Sequence, residues 1–337
     1  MRLLEKILSI CLLACLPQTR ILASGVLRPS SAEAFVVVSE KQLRNDVEFL
    51  ASEICQGRST TQRGGTEAAT WSARRFGQLG LMPFDGHYSW GFSAEGHVCQ
   101  NVIGMLPTDR TYSKPGYVII GAHYDNIGSL DGKTYPGADS NASGMAAMLG
   151  IADMFRFIRS GGGRIPQNMI FVAFDAKQLS LAGSYAVMDL IEEGTLKDPV
   201  SGHVITKDDI TLMVNLDILG STASPIHNGK KNYMLMLGGR PEHNDLLRFT
   251  SYRMENPLDL GFDYYGSKGF TDMFLNRVSD QRAFLEKGIY SVLFTSGITM
   301  DVNKTTDTVD KLDFAILKAR VCLICRWVEK IMNQTTK

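Results

Sequence analysis

Cysteine is scarce in this chain, six in 337 residues. Setting aside the N-terminal apolar stretch leaves four, Cys55, Cys99, Cys322 and Cys325. Cys322-x-x-Cys325 lies in an apolar run with helical periodicity, with neither a strand-to-helix turn nor a second pair of ligands, so buried free thiols are expected rather than a redox or zinc motif. A Cys55–Cys99 disulfide is permitted by an oxidising compartment and not otherwise indicated. An excess of either charge is also missing, since Lys+Arg and Asp+Glu both number 35. No net basic field is available to displace counterions, which excludes the simplest kind of nucleic-acid binder. After the N-terminus no apolar run reaches the roughly 18 residues that a membrane helix needs. There is no internal repeat and no low-complexity tract. Gly161-Gly162-Gly163 lacks the spacing of a phosphate loop and reads as a surface turn.

What is present begins with a targeting segment. Arg2 and Lys6 precede an apolar stretch over 7–16 that stops at Pro17, the pattern of an export signal. Leu12-Leu13-Ala14-Cys15 is similar to a bacterial lipobox, which would place an acyl chain on Cys15; ordinary cleavage after Ile21-Leu22-Ala23 is the other reading. The expected organisation is a signal over 1–23, a small polar linker over 24–35 and a single domain over 36–337. The product would be exported, as a periplasmic or outer-membrane-anchored lipoprotein or a secreted protein. The only membrane contact expected is that anchor.

Continuous apolar runs at 117–122, 169–174, 211–216, 233–237 and 290–294 read as strands covered on both faces. Helical patterns occupy 142–158, 181–193, 241–253 and 313–332. Two more helices precede them: one is opened by a capping box at Ser39-x-x-Gln42, with Leu43, Val47 and Leu50 inward, and the other starts near Thr66 and stops near Gly80. Alternating strand and helix predicts a three-layer αβα sandwich around a mixed, mostly parallel sheet. The 221–270 segment is expected to decorate its rim.

Polar motifs follow the strands directly. GAHYD spans 121–125, GADSNASG 137–144, FDAKQLSLAGS 174–184, NLDILG 215–220 and TTDTVDKLD 305–313. Ligands gather at the carboxyl ends of strands in open α/β sheets. One histidine or aspartate there is usually a satisfied turn residue; five motifs in order are harder to dismiss.

Over 40–332 these motifs, with Cys55-Gln56-Gly57-Arg58, Gln100-Asn101-Val102-Ile103-Gly104 and Ser279-Asp280, resemble the co-catalytic zinc aminopeptidases, a peptidase family (M28) that includes leucyl aminopeptidases, glutamate carboxypeptidase and glutaminyl cyclases. The resemblance implies that His123, Asp139 and Asp217 hold one metal, with Asp139 bridging to a second, and that Asp125 orients the histidine. It also implies glutamates at 177 and 178 and a histidine at 303, where this chain has Lys177, Gln178 and Asn303. An amide is a poor zinc ligand, so the Gln178/Asn303 half of the site is degenerate. A lysine beside carboxylates stays protonated and cannot take the proton that activates water, so Lys177 reads as a counter-cation. Ser140 and Gln281 stand where the family commonly has aspartate and histidine; capping or core hydrogen bonding is the expected role of these two and of Ser184. His203, His227, His243, Glu192 and Glu193 are not expected to rescue the site. One weak zinc or other divalent ion, or none, is therefore expected. Two readings remain open: a catalytically disabled member binding a peptide or protein in the cleft, like the family's non-enzymes, and a single-metal aminopeptidase acting on peptide N-termini.

Overall fold

The structure, a computed structural model, describes residues 38–109, 116–222, 231–264 and 266–334. The expected export signal, Cys15, the linker and His227 lie outside these residues. Among the described residues eleven strands run in chain order: β1 (Met82–Pro83), β2 (Ser89–Ala94), β3 (His97–Leu106), β4 (Tyr117–His123), β5 (Gly128–Leu130), β6 (Lys133–Tyr135), β7 (Asn168–Phe174), β8 (Ile210–Leu216), β9 (Tyr233–Leu237), β10 (Asp259–Gly261) and β11 (Ser291–Thr295). Nine of them form one sheet, in the order β1-β3-β7-β4-β8-β11-β9-β10 with β2 also on β3.

The four central strands, β7, β4, β8 and β11, are mutually parallel. The flanks reverse: β3 is antiparallel to β7, and β9 to β11. Every residue of β4 and β7 is buried, as continuous rather than alternating apolarity requires for strands covered on both faces. One face carries α1 (Glu40–Leu50), α2 (Arg63–Gln78), α3 (Ser143–Ser160), α5 (Pro241–Tyr252) and α8 (Phe314–Gln334) over the larger core. The other carries α4 (Ala182–Glu192) and α7 (Gln281–Glu286). A short helix, α6 (Lys268–Asn276), has no buried residue and lies on the rim. Within 221–270, β9 is a fully buried sheet strand, so that segment is more than rim. Among the described residues no helix is long and apolar enough to cross a membrane. All four cysteines beyond the N-terminal stretch are free and buried.

Two local expectations are corrected. The box at the start of α1 is half-formed: Ser39 Oγ accepts from Gln42 N at 3.2 Å, but the Gln42 amide turns to Asp46 Oδ1 at 2.9 Å. Asp46 draws it away because Asp46 is buried beside Arg75, 3.2 Å distant. Helix α2 starts at Arg63, ahead of Thr66, despite two glycines that favour helix weakly. At Gly64 a β-carbon would lie 1.8 Å from the Cys55 carbonyl oxygen, so close packing outranks propensity there.

Candidate functional site

The site is built from the residues that follow β4, β7 and β8 at their carboxyl ends. His123 closes β4 opposite Phe174 of β7, and Asp217 follows β8 on the other side of β4. Helix α3 starts beneath them, where Gly144 permits close approach: a β-carbon would meet the Leu216 carbonyl at 2.4 Å. The connecting residues Ala176 and Ile218 hold positive φ, 53° and 63°. Non-glycine residues rarely adopt that region, and such positions concentrate at functional sites.

His123 is fully buried. Its Nδ1 lies 2.9 Å from the Asp125 main-chain oxygen and its Nε2 lies 3.4 Å from Asp217 Oδ1. Both ring nitrogens face oxygen acceptors, an arrangement that favours the doubly protonated ring. Burial and the Lys177 charge oppose this, yet Asp217 and Asp125 outweigh them and push the imidazole up to about 9. Asp125 orients the ring chiefly through its carbonyl. Its carboxylate oxygens accept instead from Lys177 N at 3.1 Å and Gln178 N at 3.0 Å, and Oδ1 lies 3.5 Å from Nδ1.

Asp217 is the hub. Its Oδ1 faces His123, and its Oδ2 accepts from Ser279 Oγ at 2.7 Å and lies 3.8 Å from Lys177 Nζ. Burial would raise this carboxyl, but the two cations hold it well below the usual range. Lys177, with 18% of its side chain exposed, is desolvated as well, and Asp217, Asp280 and Asp125 keep its pKa above the ordinary value. Asp280 is buried with no hydrogen bond to either oxygen among the described residues; burial lifts it to about 7 against the pull of His123 and Lys177.

Asp139 does not join this cluster through any hydrogen bond. Gly220 N at 2.7 Å and Ser143 Oγ at 2.9 Å claim its Oδ1, and burial raises its carboxyl while Oδ2 has no hydrogen bond among the described residues. Its own N–H and that of Ser140 are held by Asp307, at 2.8 and 3.0 Å. Gln178 and Asn303 are both exposed. Ser184 and Gln281 bond to main-chain carbonyls as expected, and His203, His243 and Glu192 are engaged by Asp209, Tyr290 and Lys287.

The donor set does not fit a resident zinc ion. A ligating imidazole must offer a lone pair to the ion, and both ring nitrogens of His123 face oxygen acceptors of the protein. Asp217 is committed to His123, Ser279 and Lys177. Among the described residues no three His, Cys, Asp or Glu side chains are grouped to hold a metal.

Sequence reading found the strand-end residues but not the groups that hold them. Asp307 and Ser279 were legible only as letters within larger motifs, without a role. Asn141, whose side chain bonds Leu216 O, Gly144 N and Ile218 N, gave no signal of its own.

Against known proteins, the profile of the family described as Peptidase family M28 matches residues 101–328. The chain is similar to aminopeptidase YwaD of Bacillus subtilis, 29% identical over 142 residues, and to nicalin of Caenorhabditis elegans, 30% over 139. Those stretches cover 40% and 39% of this chain but only 26% and 24% of the relatives, about a quarter of their length. Among solved structures it resembles LapB from Legionella pneumophila, with TM-score 0.68 and 20% identity over 90% of this chain and 76% of that one. BSAP, a zinc aminopeptidase from Bacillus subtilis, gives TM-score 0.63 at 14% identity, covering 87% and 95%. Glutaminyl cyclase from Porphyromonas gingivalis gives 0.61 at 13%, covering 87% and 98%. At these identities the structural likeness establishes the αβα fold with its mixed sheet.

Proposed function

The chain belongs to peptidase family M28, and from that membership we propose an aminopeptidase-like protein that has lost catalysis and binds a peptide or protein ligand in the former active-site cleft. One observation carries the reading: the residue in the general-base position, Lys177, is an ammonium ion-paired with Asp217. A general base must accept a proton at the pH of the reaction, and a lysine whose charge is stabilised by three carboxylates cannot. Asp217 and His123, which the family's chemistry would need free, are turned toward each other and toward that lysine. What remains is a cluster of polar side chains at the carboxyl edge of a sheet, where α/β proteins bind ligands. Export, with or without an acyl chain on Cys15, belongs to the same proposal and is tested by fractionation and by labelling with a fatty acid.

Hydrolysis of aminoacyl-nitroanilides by the purified chain should be undetectable. Lys177→Glu alone should not restore it, because Gln178 and Asn303 remain and Asp139 stays bound to Gly220 and Ser143. Ligand binding is read separately, by peptide-array capture that is lost when the cleft is altered at Gln178. Robust wild-type turnover that a chelator abolishes and Asp217→Ala removes would overturn the proposal and favour a single-metal aminopeptidase.

A further inference from the structure

Helix α5 turns His243, Leu247, Thr250 and Ser251 into the core, yet its last turn carries two aromatic rings outward. Phe249 is 53% exposed and Tyr252 81%, and residues three apart on a helix are surface neighbours. Two cations converge on the first ring. The Lys330 ammonium of α8 lies 5.1 Å from the centre of Phe249, and the guanidinium of Arg253, just past the end of α5, lies 5.5 Å from it. Both distances are within cation–π range, and the two charges are within about 11 Å of each other. Lys330 donates to Thr250 Oγ1 at 3.1 Å, and among the described residues neither cation has a carboxylate oxygen within ion-pairing distance. Asp245, on the same helix, is already taken by Arg248 at 2.9 Å. Burial, and then the charges of Arg253 and Arg326, lower the Lys330 ammonium from its ordinary pKa. An anion from outside the chain would relieve that crowding.

We propose that Phe249, Tyr252, Arg253 and Lys330 form a surface that docks the protein on an anionic phospholipid membrane. Aromatic side chains settle at the headgroup level of a bilayer, and each lysine or arginine near negatively charged headgroups adds to the attraction. The rings stand out from the end of a surface helix with the two cations beside them, which suits a deformable lipid surface that needs no matching shape. The proposal depends neither on the loss of catalysis nor on an acyl chain at Cys15.

The test is sedimentation of the full chain with vesicles of mixed phosphatidylglycerol and phosphatidylcholine, against vesicles of phosphatidylcholine alone. The wild type should bind the anionic vesicles more tightly and lose that preference as salt rises. Arg253→Gln/Lys330→Gln should weaken binding to them by about 30-fold, the effect of two charges near such a surface. Arg253→Gln alone, at an exposed position, should cost about fivefold and serves if the double variant fails to fold. Every variant keeps the same N-terminal segment, so differences among them report the patch. In Tyr252→Trp, added tryptophan emission should shift to shorter wavelength with anionic vesicles and stay unshifted with neutral ones. Equal binding by the wild type and the charge variants, or no preference for anionic vesicles, overturns the proposal. Retention on polyglutamate without vesicle binding would assign the patch to an acidic protein and overturn it as well.

Discussion

Arg58→Met should cost the fold about 4–6 kcal/mol, enough to consume much of the roughly 5–15 kcal/mol that holds a typical domain together. Arg58 is wholly buried, and its guanidinium donates only to main-chain carbonyls: Tyr124 at 2.7 Å, Leu50 and Pro136 at 2.6 Å, and Gly137 at 2.8 Å. Methionine fills similar volume but offers no donor, leaving four carbonyls buried without partners at about 1–3 kcal/mol each, partly relieved where water enters. Burial already lowers the guanidinium to about 10, with Asp307 and Asp125 near enough to favour its charge. Arg58→Lys should recover only part of the loss, because a single ammonium cannot span carbonyls that lie on different sides of a planar fork. The measurement is urea unfolding with the slope compared between variants. A loss below about 2 kcal/mol would mean that water replaces the arginine, and the carbonyl argument would be wrong.

Arg320→Leu is the second large effect, at about 3–5 kcal/mol. Arg320, also fully buried, reaches from α8 to Tyr233 O at 3.0 Å through Nε, and through Nη1 to Leu219 O at 2.6 Å and Ser221 O at 2.8 Å. It thereby fixes the start of β9 and the loop just beyond Asp217. The two arginines brace different sides of the cleft, so hydrogen exchange should tell them apart. In Arg320→Leu, protection should fall first around 219–221; in Arg58→Met it should fall around 124–137. Uniform loss of protection in both variants would contradict separate bracing and indicate only a lower global stability.

The sheet was largely legible because burial on both faces writes a continuous apolar run. The runs at 117–122, 169–174, 211–216, 233–237 and 290–294 each fall within a residue of β4, β7, β8, β9 and β11. The β2–β3 hairpin was not legible. Ser-Trp-Gly-Phe-Ser-Ala in β2 sets the strand formers Trp90 and Phe92 among residues that include Gly91 and Ala94, which favour strands weakly, and Gln100 and Asn101 interrupt β3. Its antiparallel pairing is closed by the two-residue turn Glu95-Gly96, both at positive φ (50° and 80°). At the site, spacing placed His123, Asp125, Lys177 and Asp217 at strand ends, where they meet. It could not say which way Asp139 turns, because that depends on Gly220 and Ser143 competing for one carboxylate oxygen. Nor could it give Arg58 or Arg320 a role. A buried arginine is defined by its acceptors, and those of Arg58 include carbonyls 66, 78 and 79 residues away in sequence.

The strand order also dictates when the molecule can finish folding. Strand β4 has β7 and β8 as its neighbours, and β8 in turn needs β11, whose residues 291–294 pair with 213–216. A nascent chain that has produced β4 therefore holds a strand whose two flanking positions are filled only by segments made later. The helix that carries Arg320 comes later still, so the backbone beyond Asp217 stays unbraced until α8 has been made. Pairings so distant in sequence close slowly, because loop entropy must be spent before they return any contact. If the chain is exported as proposed, such late closure leaves time for transfer before the central strands lock.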